Sequence, residues 1–334
     1  MIEPTRNQDE EDSVTSTAFE NRRLVVVFAL WATGVLAAFV SAQQPRPPTQ
    51  PPMVKENGTV KVSDHVYVIP DDSVPVVPNV GIVVGGAATL VVDTGLGPKN
   101  AETILREAAK VSKNTQFYLV TTHFHPEHAA GSSAFPPSAK FVVSRVQQQE
   151  IDEQGLNMNK LFAGFSPTNA ELLKDVQFRK PDVLFDREYT IDLGGGVRVK
   201  LQSPGSMHTR GDTIAFVEPD RVLFAGDVVM NRAFLAIGQM ASMRTWLTVL
   251  DNLDALHAFR VVPSHGPMGD GSIVVEQRDV LRALQARVRE LKSQGRSADD
   301  ASKTLVAEFQ AKYPGWGRPN GVAAGVRAFY AELN

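Results

Sequence analysis

The densest chemistry in the chain lies in one short stretch, TTHFHPEHAAG, residues 121–131. It sets His123, His125 and His128 around Glu127 within six residues. The chain has seven histidines in all, and packing alone rarely gathers three of them so closely. Imidazole and carboxylate at this density are the donors of a divalent metal site. Alternate side chains of an extended segment share a face, so His123 and His125 point the same way and can reach one metal. Pro126 ends the extension and lets Glu127 and His128 turn toward a second.

Further His and Asp residues close apolar runs elsewhere. They are Asp93 in VVDTG, His208 in SPGSMHTRGD, Asp227 in LFAGD and His265 in VVPSHGP. A two-metal hydrolase needs about seven donor groups, one of them a bridging carboxylate. His123, His125, Glu127, His128, His208, Asp227 and His265 supply that number. Cysteine is absent, which removes disulfides, thiolate ligands and a thiol nucleophile together. His65, at a strand start, and His257, in a helical stretch, read as structural. Met207, Met230, Met240 and Met243 flank the motifs as packing or pocket wall. Arg210 and Asn231 lie beside ligand positions, where substrate contact is the alternative to a plain surface role. Asp93 either caps the DTG turn or supports a ligand imidazole from behind.

These residues must be carried by strand ends, where a rigid sheet can hold polar groups into a shared cleft. Strand-length, β-branched runs occur at HVYVIP, NVGIVVGG, ATLVVDTG, QFYLVTTH, AKFVVS, EYTIDLG, VRVKLQSP, DTIAFVE, RVLFAGD and FRVVPSH. VEPDRVLF reads as a tight hairpin turning at Pro-Asp. Helical spacing appears in KNAETILREAAKVSK, with Ile104, Ala108 and Val111 on one face, and in MRTWLTVLDNLDALHAF. Residues 155–176 read as a helical segment placed to cover the site. Residues 272–334 read as a helical extension that packs onto the domain or forms a dimer contact. Strands and helices alternate through two similar halves, the pattern of an α/β fold built as an αββα sandwich.

Residues 1–42 read as a targeting segment. Arg22 and Arg23 precede an apolar run to about Val40, and Ser41-Ala42 offers a small-residue cleavage site, the layout of a secretory signal, with a twin-arginine character. The alternative is an uncleaved anchor. Either form puts the domain outside the cytoplasm, periplasmic or secreted. Residues 43–56 read as a proline-rich linker. The net charge of −3, without a basic stripe, speaks against a nucleic-acid partner. Membrane contact would come only through an anchor, and nothing in the sequence sets an oligomeric state.

Taken together, HFHPEH followed by the lone His, Asp and His motifs resembles the metallo-β-lactamase superfamily, over roughly residues 57–271. The resemblance implies that fold and a dizinc hydrolase. His123, His125 and His208 would hold the first zinc; Glu127, His128 and His265 the second; Asp227 would bridge; and Asp93 would orient the THFH loop and a ligand imidazole from the second shell. A water between the metals would then attack a small ester, lactone, thioester or amide, with Glu127 and Asp227 as the catalytic carboxylates. Three alternatives accompany this reading: a β-lactamase, although the family's secreted β-lactamases usually place Cys, Ser or a similar residue where Asp227 stands; a mononuclear iron enzyme of the sulfur-dioxygenase type; and a metal-binding accessory protein without turnover. One departure is plain. The family pattern has Asp where this chain has Glu127, whose extra methylene adds about 1.5 Å of reach.

Overall fold

The computed structural model describes residues 50–333. The targeting segment, residues 1–42, and residues 43–49 of the linker lie outside the described residues. Among those described, the strands are β1 (Val60–Lys61), β2 (Val66–Ile69), β3 (Val80–Val84), β4 (Ala88–Val92), β5 (Gln116–Val120), β6 (Lys140–Ser144), β7 (Val183–Phe185), β8 (Glu188–Asp192), β9 (Arg198–Gln202), β10 (Ile214–Val217), β11 (Val222–Gly226) and β12 (Arg260–Pro263). The helices are α1 (Pro98–Val111), α2 (Pro126–Ala129), α3 (Arg145–Glu150), α4 (Leu156–Ala163), α5 (Pro167–Leu172), α6 (Met243–Asp254), α7 (Ser272–Ser293), α8 (Ala298–Lys312) and α9 (Asn320–Glu332).

The strands form two sheets. The first has seven strands in the order β1-β2-β3-β4-β5-β6-β7, and the second has five in the order β12-β11-β10-β9-β8. The first is antiparallel through β4 and parallel from β4 to β7. The second is antiparallel except for the β11/β12 pair. Period-two alternation assigns the faces. In β11, Val222 and Phe224 face a core shared with Val66, Leu90, Val120 and Val142 of the first sheet. Leu223 and Ala225 of the same strand join a core built with α6 to α9. On the far side of the first sheet, Ile82, Val91 and Leu119 pack on Ile104 and Ala108 of α1. The layers are therefore helix, sheet, sheet, helix. Strands covered on both faces, such as β4 and β11, need continuous apolar runs, and every residue of these two is buried.

The elements differ from the sequence reading in three places. β1 and β7 were not anticipated, being only two and three residues long, with β7 set between Asp182 and Asp186. Residues 155–176 are not one helix. Gly164 ends α4, and Ser166, whose side chain accepts from the Asn169 N–H at 3.1 Å, starts α5 with Pro167 in its first turn. The end of the linker is docked: the Val54 N–H donates to Asn100 Oδ1 at 2.6 Å, and Asn100 Nδ2 donates to the Pro52 carbonyl at 3.0 Å. No helix among the described residues is long and apolar enough to cross a membrane.

The residues from 272 onward do pack on the body of the chain. Val280, Leu284, Phe309, Val326 and Phe329 belong to one core with Trp246, Leu223 and Val261. Glu332 of α9 accepts from the Met243 N–H at 2.7 Å, where α6 begins.

Candidate metal centre

The strand ends converge on one place. Asp93 follows β4, His123 and His125 follow β5, and α2 carries Glu127 and His128. His208 sits between β9 and β10, Asp227 follows β11, and His265 follows β12. Two groups of three donors result, each with ligand atoms within 4.8 Å of one another: His123, His125 and His208, and Glu127, His128 and His265. In the first group, His125 Nδ1 lies 3.1 Å from both His123 Nε2 and His208 Nε2. Zinc–nitrogen bonds of about 2.0–2.1 Å give a tetrahedral edge of roughly 3.3 Å, so these nitrogens already stand at coordination spacing.

Asp227 lies between the groups. Its Oδ2 is 3.5 Å from His208 Nε2, and its Oδ1 is 3.9 Å from His265 Nε2. Glu127 is turned inward, with Oε1 3.7 Å from His128 Nε2 and 4.0 Å from His265 Nε2.

Behind four of the imidazoles an oxygen fixes the proton on Nδ1. His128 Nδ1 donates to Asp93 Oδ2 at 2.9 Å, His208 Nδ1 to the Ala236 carbonyl at 2.5 Å, and His265 Nδ1 to the Val77 carbonyl at 2.9 Å. Thr122 Oγ1 donates its own proton to Asp93 Oδ2 at 3.0 Å, so it accepts from His123 Nδ1 at 3.2 Å. Each Nε2 is thereby left to offer a lone pair inward. His125 is reversed and offers Nδ1. Asp93 also accepts the Thr122 N–H at 2.7 Å, and it does so from a left-handed backbone, φ 71°. Such strain, about 1–3 kcal/mol, persists where surrounding structure enforces it.

The electrostatics favour a buried cation. Burial, then the crowd of neighbouring imidazoles, holds His123 and His125 well below the ordinary histidine value. Burial lowers His265 to about 4. Burial also works against charge on His128, but the Asp93 carboxylate outweighs it and raises His128 to about 9, so a cation at Nε2 would bind by displacing a proton. Burial raises Glu127 to about 7. Asp227 is held below its usual range, because His208, His265 and Arg318 together outweigh its burial. Three buried atoms here have no hydrogen-bond partner: Glu127 Oε2, His128 Nε2 and Asp227 Oδ1. Orphaned donors of these types, next to imidazoles whose protons are pinned behind them, fit divalent cations.

A cleft of about 540 Å³ opens on the Glu127 and His265 side, and a cavity of about 430 Å³ opens on the His125 and His208 side. α4 walls the cleft: the Phe162 ring lies 6.0 Å from that of His125 and 4.8 Å from that of Phe165. Asn231 lines the cleft and is held by the Pro267 carbonyl at 3.0 Å. Arg210 points elsewhere and pairs with Glu150 and Glu153. The arginine at the site is Arg318, unflagged by the sequence motifs. Its Nη1 is 3.4 Å from Asp227 Oδ2, and it lines both openings. Its only sequence signal is the Gly-Arg-Pro turn before the last helix.

The family model described as "Metallo-beta-lactamase superfamily" matches residues 74–265. A type 2 metallo-β-lactamase of Bacillus cereus is 23% identical over 270 residues, covering 77% of this chain and 96% of the relative. Among solved structures, a metallo-β-lactamase from Pontibacter korlensis has a TM-score of 0.54 at 23% identity, covering 67% of this chain and 98% of that one. The sec-alkylsulfatase Pisa1 from Pseudomonas sp. has a TM-score of 0.64 at 15% identity, covering 82% of this chain, which spans 50% of the sulfatase. These structural likenesses speak for the αββα fold. With its strand-end donors inside the family's matched span, the chain belongs to the metallo-β-lactamase superfamily, whose members are metal-dependent hydrolases.

Proposed function

We propose that the protein is an exported zinc-dependent hydrolase of a small ester, lactone, thioester or amide. The observation that carries this is the pairing of two three-donor groups with Asp227 set between them, one oxygen toward His208 and the other toward His265. His123, His125 and His208 would hold one ion, and Glu127, His128 and His265 a second. Bound there, zinc supplies Lewis acidity, acidifying a water and drawing charge from the carbonyl oxygen under attack. Asp227, kept ionised by its cationic and imidazole neighbours, spans the two groups, and its unpartnered Oδ1 is placed to orient that water. Glu127 Oε2, buried and without a partner, is a second acceptor for the water's proton. Asp93 and Thr122 hold His128 and His123 in place. Phe162, Phe165 and Met230 give the cleft an apolar wall against which an acyl group can pack.

The test is the metal content of the purified protein, together with turnover of a nitrophenyl ester, a lactone, a thioester and a β-lactam. Two equivalents of zinc and turnover of at least one substrate are expected. His123→Ala should lose one equivalent and lower kcat/KM by more than about 100-fold. Two zinc ions without turnover of any of the four would overturn the hydrolase reading, and one equivalent of iron would replace zinc chemistry with iron chemistry. The name of the Bacillus cereus relative makes β-lactams the second substrate class on that panel. Export rests on the sequence of residues 22–42, and sequencing the N-terminus of the natural protein tests it.

A further inference from the structure

We infer that Arg318, delivered by the turn before α9, is a specificity-determining residue that recognises an oxyanion, carboxylate or sulfate, on the substrate. The inference rests on the hydrolase reading above for the word substrate, but the anion site stands or falls separately.

Arg318 is the one Lys or Arg among the residues lining either opening of the metal centre, and it lines both. Its side chain is 38% exposed. Among the described residues, Asp227 Oδ2 is its one carboxylate neighbour within ion-pair distance, and that contact is long, 3.4 Å. The same oxygen faces His208 Nε2 at 3.5 Å and would be drawn to a bound cation. Arginine has five N–H donors in a rigid fork, and a shared, distant carboxylate oxygen leaves most of them unused. Carboxylate and sulfate fit that fork with two parallel hydrogen bonds.

The position is built rather than incidental. The Phe234 N–H donates to the Gly317 carbonyl at 3.0 Å, and the Gly317 N–H to the Arg232 carbonyl at 3.0 Å. These bonds tie the turn to the segment that follows Asp227. Rings of Trp316 and Phe234, 5.3 Å apart, and of Trp316 and Tyr313, 4.8 Å apart, clamp it from outside. Arg318 itself has φ 56°, a strained conformation for a residue with a side chain, immediately before Pro319. The turn thus holds a strained arginine over the bridging carboxylate. α9 begins just beyond it with no acid in its first turn, so the helix adds positive potential to the same side.

The experiment compares wild type with Arg318→Ala, and with Arg318→Met, which keeps the packing of the stem, all loaded with zinc. Two substrates share one scissile acetate, 4-acetoxybenzoate and its neutral methyl ester, and benzoate and sulfate binding is read by calorimetry. The expected result is benzoate or sulfate binding at least 10-fold weaker in both variants. kcat/KM on 4-acetoxybenzoate should fall at least 10-fold further than on the methyl ester, the extra loss lying mainly in KM. Melting temperature and metal content should stay at wild-type values. Should Arg318→Ala melt early or lose metal, the Met variant decides. An equal loss on both esters means that Arg318 only positions Asp227, and unchanged anion binding in a folded variant equally overturns the inference. Wild type that binds benzoate through Arg318 but hydrolyses neither ester keeps the anion site and counts against the hydrolase. Wild type that hydrolyses the methyl ester without binding either anion does the reverse.

Discussion

Glu127 is the residue at which this chain departs from its family's pattern, and the structure shows its longer side chain turned inward with 7% exposure. Metal–oxygen distances tolerate only about 0.2 Å, whereas Glu→Asp withdraws the carboxylate by about 1.5 Å. Glu127→Asp should therefore weaken the second zinc by about 10-fold or more and spare the first, as read by a competitive chelator titration with two resolved steps. Asp93 acts one bond further back. It accepts from His128 and from both the N–H and the hydroxyl of Thr122, so Asp93→Asn cannot satisfy all three. A loss of about 10–100-fold in metal affinity is expected in the same titration, with the fold retained. The candidate donors that the structure brings together could be picked out in the sequence because His and Asp after apolar runs are few. The reversed ring of His125 could not, since ring orientation depends on what lies around each imidazole, and His125 Nδ1 meets His208, 83 positions away. Arg318 was hidden for a related reason: it lies 91 positions from the carboxylate that it meets.

Among elements, the strands read best where both faces are buried, because uninterrupted apolar runs such as ATLVV and VLFAG have no competing helical pattern. β7 has only three residues between charged neighbours and is defined by its partner β6 rather than by its own composition. The loops that aim the ligands depend on close approaches that a sequence does not display. A Cβ on Gly238 would stand 2.3 Å from the His208 carbonyl oxygen. Gly238→Ala should push that loop outward and lower affinity at the first zinc group more than it lowers the melting temperature. α1 carries a different kind of tie. Glu107, 1% exposed, accepts from the Asn57 N–H at 2.8 Å and the Thr59 hydroxyl at 2.6 Å, and pairs with Lys110. Burial opposes its charge, but these partners outweigh burial and lower it from 4.5 to about 2. A carboxylate lowered on folding contributes stability above its unfolded value and loses it as pH falls through the folded one. Between pH 4.5 and 2, wild type should lose more stability than Glu107→Gln, as measured by urea midpoints.

At the scale of the molecule, the helices from residue 272 onward share their core with β10, β11 and α6, so they are part of what makes the second sheet stable. Phe309 is 1% exposed within that core. Phe309→Ala should cost about 3–5 kcal/mol in chemical denaturation. Removing 272–333 should leave the remainder insoluble rather than a smaller working enzyme. Sequence alone could mark these helices by periodicity but could not say what their apolar faces meet, which is a property of the fold as a whole. The two donor groups have a mechanical meaning as well. Each draws on both sheets: His123 and His125 follow a strand of the first sheet while His208 follows one of the second, and Glu127 and His128 are matched across the same gap by His265. A metal held there would therefore act as a rivet through the sandwich. At free zinc about 1,000 times its dissociation constant, one such rivet adds about 4 kcal/mol against unfolding. Chelation should accordingly lower the melting temperature and let the two sheets part first at the edge where the rivets sit, seen as early hydrogen exchange in residues 121–131 and 204–212.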